Sequence, residues 1–345
     1  QATTGTVAYW EQGARFNQKS LTSATASLSG AAGVLSVFNK FTVPLLGGFD
    51  GLDITEKDPF NKTVLTGLAA SNRAQINGST ETTNYAYNSV KVAIESLADP
   101  EVVEMNLAAI PGVENEGLTA LLIDKCEARG DALAVIDLKG DYVPTEANTQ
   151  TAVQRKPVVS TVIDNLNGRG INSSYGAAFF PWVQIKDNAN NKNVWVPPSV
   201  VALGVMSKSQ RNTELWFAPA GFNRGGLTEG AAGLAVNAVT LKLTSRDRDN
   251  LYAANVNPIA SFPSEGIVVF GQKTLQVTPS ALDRINVRRL MIYLKKEISR
   301  MATTILFDPN TEVTWKRFTN VADPFLSSVK SRFGLTDYKL VLDST

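Results

Sequence analysis

Three times between residues 85 and 185 the chain sets a helical pattern ahead of a near-continuous apolar run, and that alternation limits the fold more than any other feature of the sequence. Tyr85–Leu97 puts Val90, Ala93, Ile94 and Leu97 on one helical face before Asp99-Pro100 closes it, and Leu107–Ile110 follows as an apolar strand ending at Pro111-Gly112. Leu118–Arg129, stopped by Gly130, precedes the strand Ala132–Leu138. Val158–Leu166, stopped by Asn167-Gly168, precedes the strand Gly176–Ile185. Strands apolar along their whole length, with helices between them, belong to a parallel or mixed sheet covered on both faces. Val194-Trp195-Val196-Pro197-Pro198 then leads into a helix from Ser199 to about Ser209, so residues 1–225 are expected to form an α/β domain. The chain has 345 residues, more than one core usually organises, and residues 226–345 are expected as a smaller α+β domain. Its expected elements are a strand Val236–Leu243, a helix Ser245–Asn255, a strand Gly266–Gly271, two long helices and an extended end at Tyr338–Leu342.

The first of those long helices, Asp283–Asn310, is the clearest helical pattern in the chain. Asp283 reads as its N-cap, and Val287, Leu290, Leu294, Ile298, Met301 and Ile305 recur at steps of three and four, with Met291 and Ala302 beside them. That face is expected in the core. Arg289, Ile292, Tyr293, Lys296 and Arg300 are expected on the far side. From Asp283 to Arg300 six Lys/Arg stand against two Asp/Glu, in a chain whose net charge is only +1. Arg289, Tyr293, Lys296 and Arg300 are therefore the candidate interaction residues. The competing assignment pairs Arg288 and Arg289 with acidic neighbours inside the domain. Pro309 ends the helix. The last helix is expected over Phe318–Phe333.

Composition removes whole classes of chemistry. The chain contains no histidine, so Ser-His-Asp and Cys-His nucleophilic sites and most catalytic zinc sites have no base or ligand to use. Its one cysteine, Cys126, forms no internal disulfide and reads as a small buried hydrophobe. Balanced charge argues against nucleic acid as partner, although Arg289, Lys296 and Arg300 with Tyr293 are what such a reading would use. No run of 18 apolar residues exists to span a membrane. Asp50, Asp53, Glu56 and Asp58 are the one concentrated set of carboxylates, and a carboxylate-based hydrolase on an α/β scaffold is the alternative they offer. Their spacing fits no calcium loop and reads better as turns and caps, so no catalytic, cofactor or metal residue is assigned. Ala220–Gly233 is glycine-rich but lacks Gly-Lys-Ser/Thr and any strand-to-helix fingerprint. It reads as a connector rather than a phosphate loop. Residues 1–40, rich in Thr, Ser, Ala and Gly, hold possible short strands at Val7–Trp10 and Gly33–Phe38 whose pairing stays open.

Four stretches together resemble the tail sheath proteins of contractile bacteriophage tails. Val43-Pro44-Leu45 with Gly47-Gly48-Phe49-Asp50-Gly51 is similar to the family's VPLxGGFDG segment, and Met105–Gly112 to the strand after its first helix. Ala178–Trp182 through Pro197-Pro198-Ser199 resembles its YYPW…PPS passage, with Phe179-Phe180 where tyrosines are common. Leu251–Ile259, Gly266–Leu275 and Ile285–Leu290 follow its order in the second domain, with Phe270 for the usual tryptophan and Lys273 for the usual arginine.

The resemblance implies a subtilisin-like but non-catalytic α/β domain of mixed or parallel sheet, then an α+β domain that faces the tail tube through Arg289, Tyr293, Lys296 and Arg300. It implies a structural subunit rather than an enzyme, without cofactor. Such a subunit polymerises helically around the tube, with other sheath subunits, tube protein and baseplate as partners. It also implies a place in the virion tail after assembly in the host cytoplasm. Family members join neighbours through terminal arms. The chain begins at Gln1 and stops at Thr345, so it is expected to be a trimmed piece, monomeric in dilute solution.

Overall fold

The structure, a computed structural model, describes residues 85–142, 156–187 and 191–342. The expected strands at Val7–Trp10 and Gly33–Phe38, the Val43–Gly51 segment and the Asp50–Asp58 carboxylates lie outside the described residues. Residues 94–143 and 152–345 form one compact unit, and it carries every element discussed below except the start of helix α1 (Tyr85–Ser96).

The expected alternation is present. Strand β1 (Leu107–Ala109) leads to helix α2 (Glu116–Arg129), β2 (Leu133–Ile136), α3 (Val159–Gly168) and β3 (Gly176–Phe180). Asn115 caps α2 by accepting from the Leu118 N–H at 2.9 Å. Gly130 closes it in the left-handed region at φ +69, which glycine enters without steric cost. β1, β2 and β3 pair in parallel. Every residue of β2 and β3 is buried, as the apolar runs require of strands covered on both faces.

The sequence pattern missed the strand that completes this sheet. β7 (Val256–Phe262) lies parallel to β3, and β8 (Gly266–Val269) pairs antiparallel to it, giving the order β1-β2-β3-β7-β8. Proline is uncommon inside a strand, yet Asn257 and Pro258 both sit inside β7. Buried Asn257 makes this possible. Its Nδ2 donates to the carbonyls of Ala178 and Lys273 at 2.9 and 2.8 Å, and its Oδ1 accepts from Lys273 N–H. The sheet thus draws strands from both sides of residue 225. The expected strand Gly176–Ile185 is in fact two. β3 stops at Pro181, which has no N–H to give, and β4 (Val183–Asp187) joins an antiparallel sheet with β5 (Lys192–Val196) and β6 (Val236–Val239).

Helix α4 (Pro198–Asn212) packs Val201, Ala202, Val205 and Met206 onto the sheet face formed by Leu133, Val135, Ala177, Phe179 and Ile259. Ala134 and Ile136 point the other way and are equally buried, and α2 adjoins β2. The Gly-rich stretch 220–233 is folded structure rather than a free linker. Leu227 N–H donates to Ile267 carbonyl at 2.7 Å, Gly221 N–H to Val269 carbonyl at 2.8 Å, and Leu227 is fully buried in the core. Helix α5 (Ser245–Ala253) opens with a capping box between Thr244 and Asp247.

Two long helices finish the unit, α6 (Ile285–Thr303) and α7 (Glu312–Ser331). Asp283 is not the cap of α6. It closes a short 3-10 turn, Ala281–Asp283, and Arg284 takes the N-cap position with no side-chain bond. Leu290 and Leu294 meet Leu326 and Val329 of α7 together with Leu215 and Trp216, a second small core.

Candidate functional site

Helix α6 buries more of its circumference than its apolar pattern indicates. Leu290 and Leu294 face α7, while Ile285 and Ile292 enter the main core beside α4. Ile285, Arg289, Ile292, Lys296 and Arg300 follow one another at steps of four and three, so they form a single stripe along the helix. At its start the stripe is packed under the core. It emerges at its end: the Lys296 side chain is 31% exposed and that of Arg300 77%. The exposed residue beside the helix's apolar face is Met291, which the periodicity placed near the core.

The four candidate residues therefore occupy different environments. Arg289 is 3% exposed, donating to Met206 carbonyl at 3.3 Å and Gln210 Oε1 at 2.8 Å, both on α4. Burial pulls its guanidinium down to about 10. Neither the far-side position nor an internal acidic partner holds for this residue. Arg288 is also buried. Its guanidinium lies 4.1 Å over the Tyr175 ring and donates to Ser174 Oγ, and burial lowers its pKa. Tyr293 is half-buried, tilted between Trp216 and Phe325 at ring separations of 6.1 and 5.8 Å.

Lys296 pairs with Glu104 at 2.8 Å, and its hydrogen bond holds that carboxyl below the usual range. Glu104 comes from the loop after α1, and no local spacing could have named it. Arg300 pairs with Glu297 at 2.7 Å, an i,i+3 contact that the sequence does display. The arrangement offers two cations at the surface, each lightly paired, with Tyr293 and buried Arg289 behind them. Such groups exchange charge partners readily.

Asp137 stands at the carboxyl end of β2, where open α/β sheets place their ligands. Its Oδ2 accepts from Gly112 N–H and Ser199 Oγ, each at 2.8 Å, and its Oδ1 accepts from Ser199 N–H at 3.1 Å. With 1% exposure, this carboxylate ties the turn after β1 to the first turn of α4, where the helix dipole favours negative charge. Ser199 itself has 1% exposure, so the pair clamps structure and is closed to substrate. Cys126 is fully buried in α2, and burial pushes its thiol up to about 12, consistent with a packed hydrophobe rather than a nucleophile. No described helix is long and apolar enough to cross a membrane.

No protein-family model matches the chain. It is similar to the tail sheath protein of Vibrio phage KVP40, 35% identical over 184 residues, which are 53% of this chain and 26% of that protein. It is similar to the tail sheath protein of Enterobacteria phage T4 at 30% identity over 264 residues, 73% of this chain and 38% of that one. The chain thus spans well under half the length of these curated relatives. Among solved structures it resembles the sheath complex, in the contracted state, of an extracellular contractile injection system called PVC. The TM-score is 0.55 and the identity 22%, over 72% of this chain and 62% of that one. That likeness is one of fold.

Proposed function

We propose, from the premise that this chain is related to the phage tail sheath proteins over most of its length, that it is a structural subunit of a contractile tail sheath. The observation that carries this reading is the 30% identity to the T4 sheath protein across 73% of the chain. The shared fold supports it independently of that alignment. In this role subunits polymerise helically around a tail tube, joined to a baseplate, and drive the tube through the host envelope as the sheath contracts. The energy resides in the extended packing and is released as subunits reach a better-packed state, so no catalytic side chain takes part. The subunit works in the virion tail, after assembly in the bacterial cytoplasm.

Within that reading, the emergent end of the α6 stripe faces the tube. Lys296 and Arg300 meet acidic groups there with Tyr293 beside them, and Arg289 supports the row from inside. The comparison of α/β architecture with subtilisin, and a functional boundary near residue 225, belong to the same proposal. A hydrolase using Asp50 and Asp53 is the disfavoured alternative, because the relatives are sheath proteins. The test is electron microscopy of the longer protein that contains this chain. Hollow contractile tubes are expected, and a protein that never polymerises, or that turns over esters or peptides in an Asp50-dependent way, would overturn the reading.

A further inference from the structure

A buried guanidinium is ordinarily held by a carboxylate, because an unpaired charge away from water is costly. Arg129 obeys this rule. Its fork grips Asp131 through two bonds of 2.8 Å. Arg289 breaks it. No acidic side chain pairs with it among the described residues, and only two of its five N–H donors have acceptors, both neutral oxygens on α4.

Beside Arg289 lies a cavity of about 40 Å³, lined also by Lys296, Asn106, Gln210, Tyr293 and Ile292. This is room for a water or two, a halide or the tip of one carboxylate, and too little for a sugar or a nucleotide. The walls have the chemistry of an anion site. Two cations and the amides of Asn106 and Gln210 supply donors, beside the apolar faces of Tyr293 and Ile292, and a hydrogen bond from a charged donor is stronger than one between neutral groups. No carboxylate is among the cavity's described lining residues, and those that reach Lys296 or Arg300 are already engaged: Glu104 with Lys296, Asp131 with Arg129, and Glu297 with Arg300. At the cavity Arg289 is the cation without a carboxylate; Arg288, also without one, lies over Tyr175 and does not line the cavity.

We propose that this cavity is a binding site for a single small anion, and that in an assembly the anion is the carboxylate of an Asp or Glu side chain from a neighbouring protein. The first half stands on the cavity and Arg289 alone. The second half rests on the assembly reading above. Lys296 opens the site outward: it lines the cavity and also reaches the exposed Glu104, so a partner's carboxylate entering there replaces a weak surface pair with a buried one.

The experiment begins with the 345-residue chain, titrated with sodium bromide and separately with sodium acetate, ionic strength being held by a bulky sulfonate. Melting temperature and tryptophan emission are followed, since Trp216 lies 6.1 Å from Tyr293 at the cavity wall. Both anions are expected to saturate, raising the melting temperature by about 2 °C at ten times the dissociation constant. The Arg289→Met chain is expected to melt no lower than wild type without added anion, since replacing an unpaired buried charge by a methionine of similar length removes its burial cost. It should lose the anion dependence. Should that variant fail to fold, bromide located by anomalous scattering in wild-type crystals decides: a peak at Arg289 upholds the site, and its absence there overturns it. A melting temperature indifferent to both anions also overturns it.

The partner arm uses the longer sheath chain in halide-free and acetate-free buffer. Tubes carrying Arg289→Met are expected to disassemble at lower urea than wild-type tubes. Equal resistance, with bromide still bound by the isolated chain, overturns the neighbour's carboxylate and leaves a free-anion site. If no tubes form from either chain, the sheath reading fails while the anion titration still judges the cavity.

Discussion

Arg129 and Arg289 have the same side chain at similar burial, and their surroundings give them opposite roles. Arg129 donates to Asp131 and to the carbonyls of Leu97, Asp99 and Val103, so one guanidinium ties the segment after α1 to the end of α2. Arg129→Met leaves those carbonyls without a donor and Asp131 without its cation. The expected cost is about 3 kcal/mol by denaturant unfolding at neutral pH. The pH dependence separates the ion pair from packing. The Arg129 hydrogen bond holds the Asp131 carboxyl below its ordinary value. The stabilisation it gives is therefore complete above about pH 4, where the unfolded carboxyl is ionised, and is lost as pH falls through the depressed native value. The gap between wild type and variant should narrow in acid. A gap of constant size down to about pH 2 would assign the effect to packing and backbone bonds alone.

At the scale of elements, the most exacting fit is where the Gly-rich stretch crosses α4. Gly204 faces the backbone of Ala232, and a Cβ there would run into the Ala232 carbonyl oxygen, while Lys208 Nζ donates to the Gly230 carbonyl at 2.7 Å. Gly204→Ala gains helix propensity but forces two backbones apart. It is expected to destabilise by about 1 to 3 kcal/mol. Thermal melts that show stabilisation would mean the stretch yields freely. This contact also shows what the sequence could and could not convey. The alternation around β1, β2 and β3 was legible because each strand is apolar throughout and each helix has its own stop signal, such as Gly130. The role of residues 220–233 was not, since glycine composition looks the same in a linker and in a backbone packed against a helix. β7 was hidden for a related reason, because Asn257 and Pro258 look like a turn until Ala178 and Lys273 are there to bond Asn257. On α6, periodicity found Leu290 and Leu294 correctly. Arg289 and Ile292 were assigned to the outside because a helix wedged between two cores has no single polar face, and only the tertiary neighbours reveal the second core.

Across the whole molecule, the proposed role asks a surface to hold and then release. Strong, dry contacts would resist contraction, whereas exposed ion pairs are each worth roughly 0 to 1 kcal/mol and are screened by salt. Lys296 and Arg300 fit that requirement, since both reach solvent and both sit in pairs weak enough to be exchanged, with Glu104 and Glu297. Reversing both charges, Lys296→Glu with Arg300→Glu, sets each new carboxylate against a resident one, but at exposures where water relieves the repulsion. The melting temperature of the chain should fall by no more than about 4 °C, because two surface pairs are all that is lost. Assembly of the longer sheath protein on tubes, scored by electron microscopy at low salt, should fail, and raising salt should also weaken wild-type assembly. If the double variant unfolds, the row serves the fold instead. If it folds and coats tubes as wild type does, the tube-facing assignment of α6 is wrong, and the surface that meets the tube must lie elsewhere on the subunit.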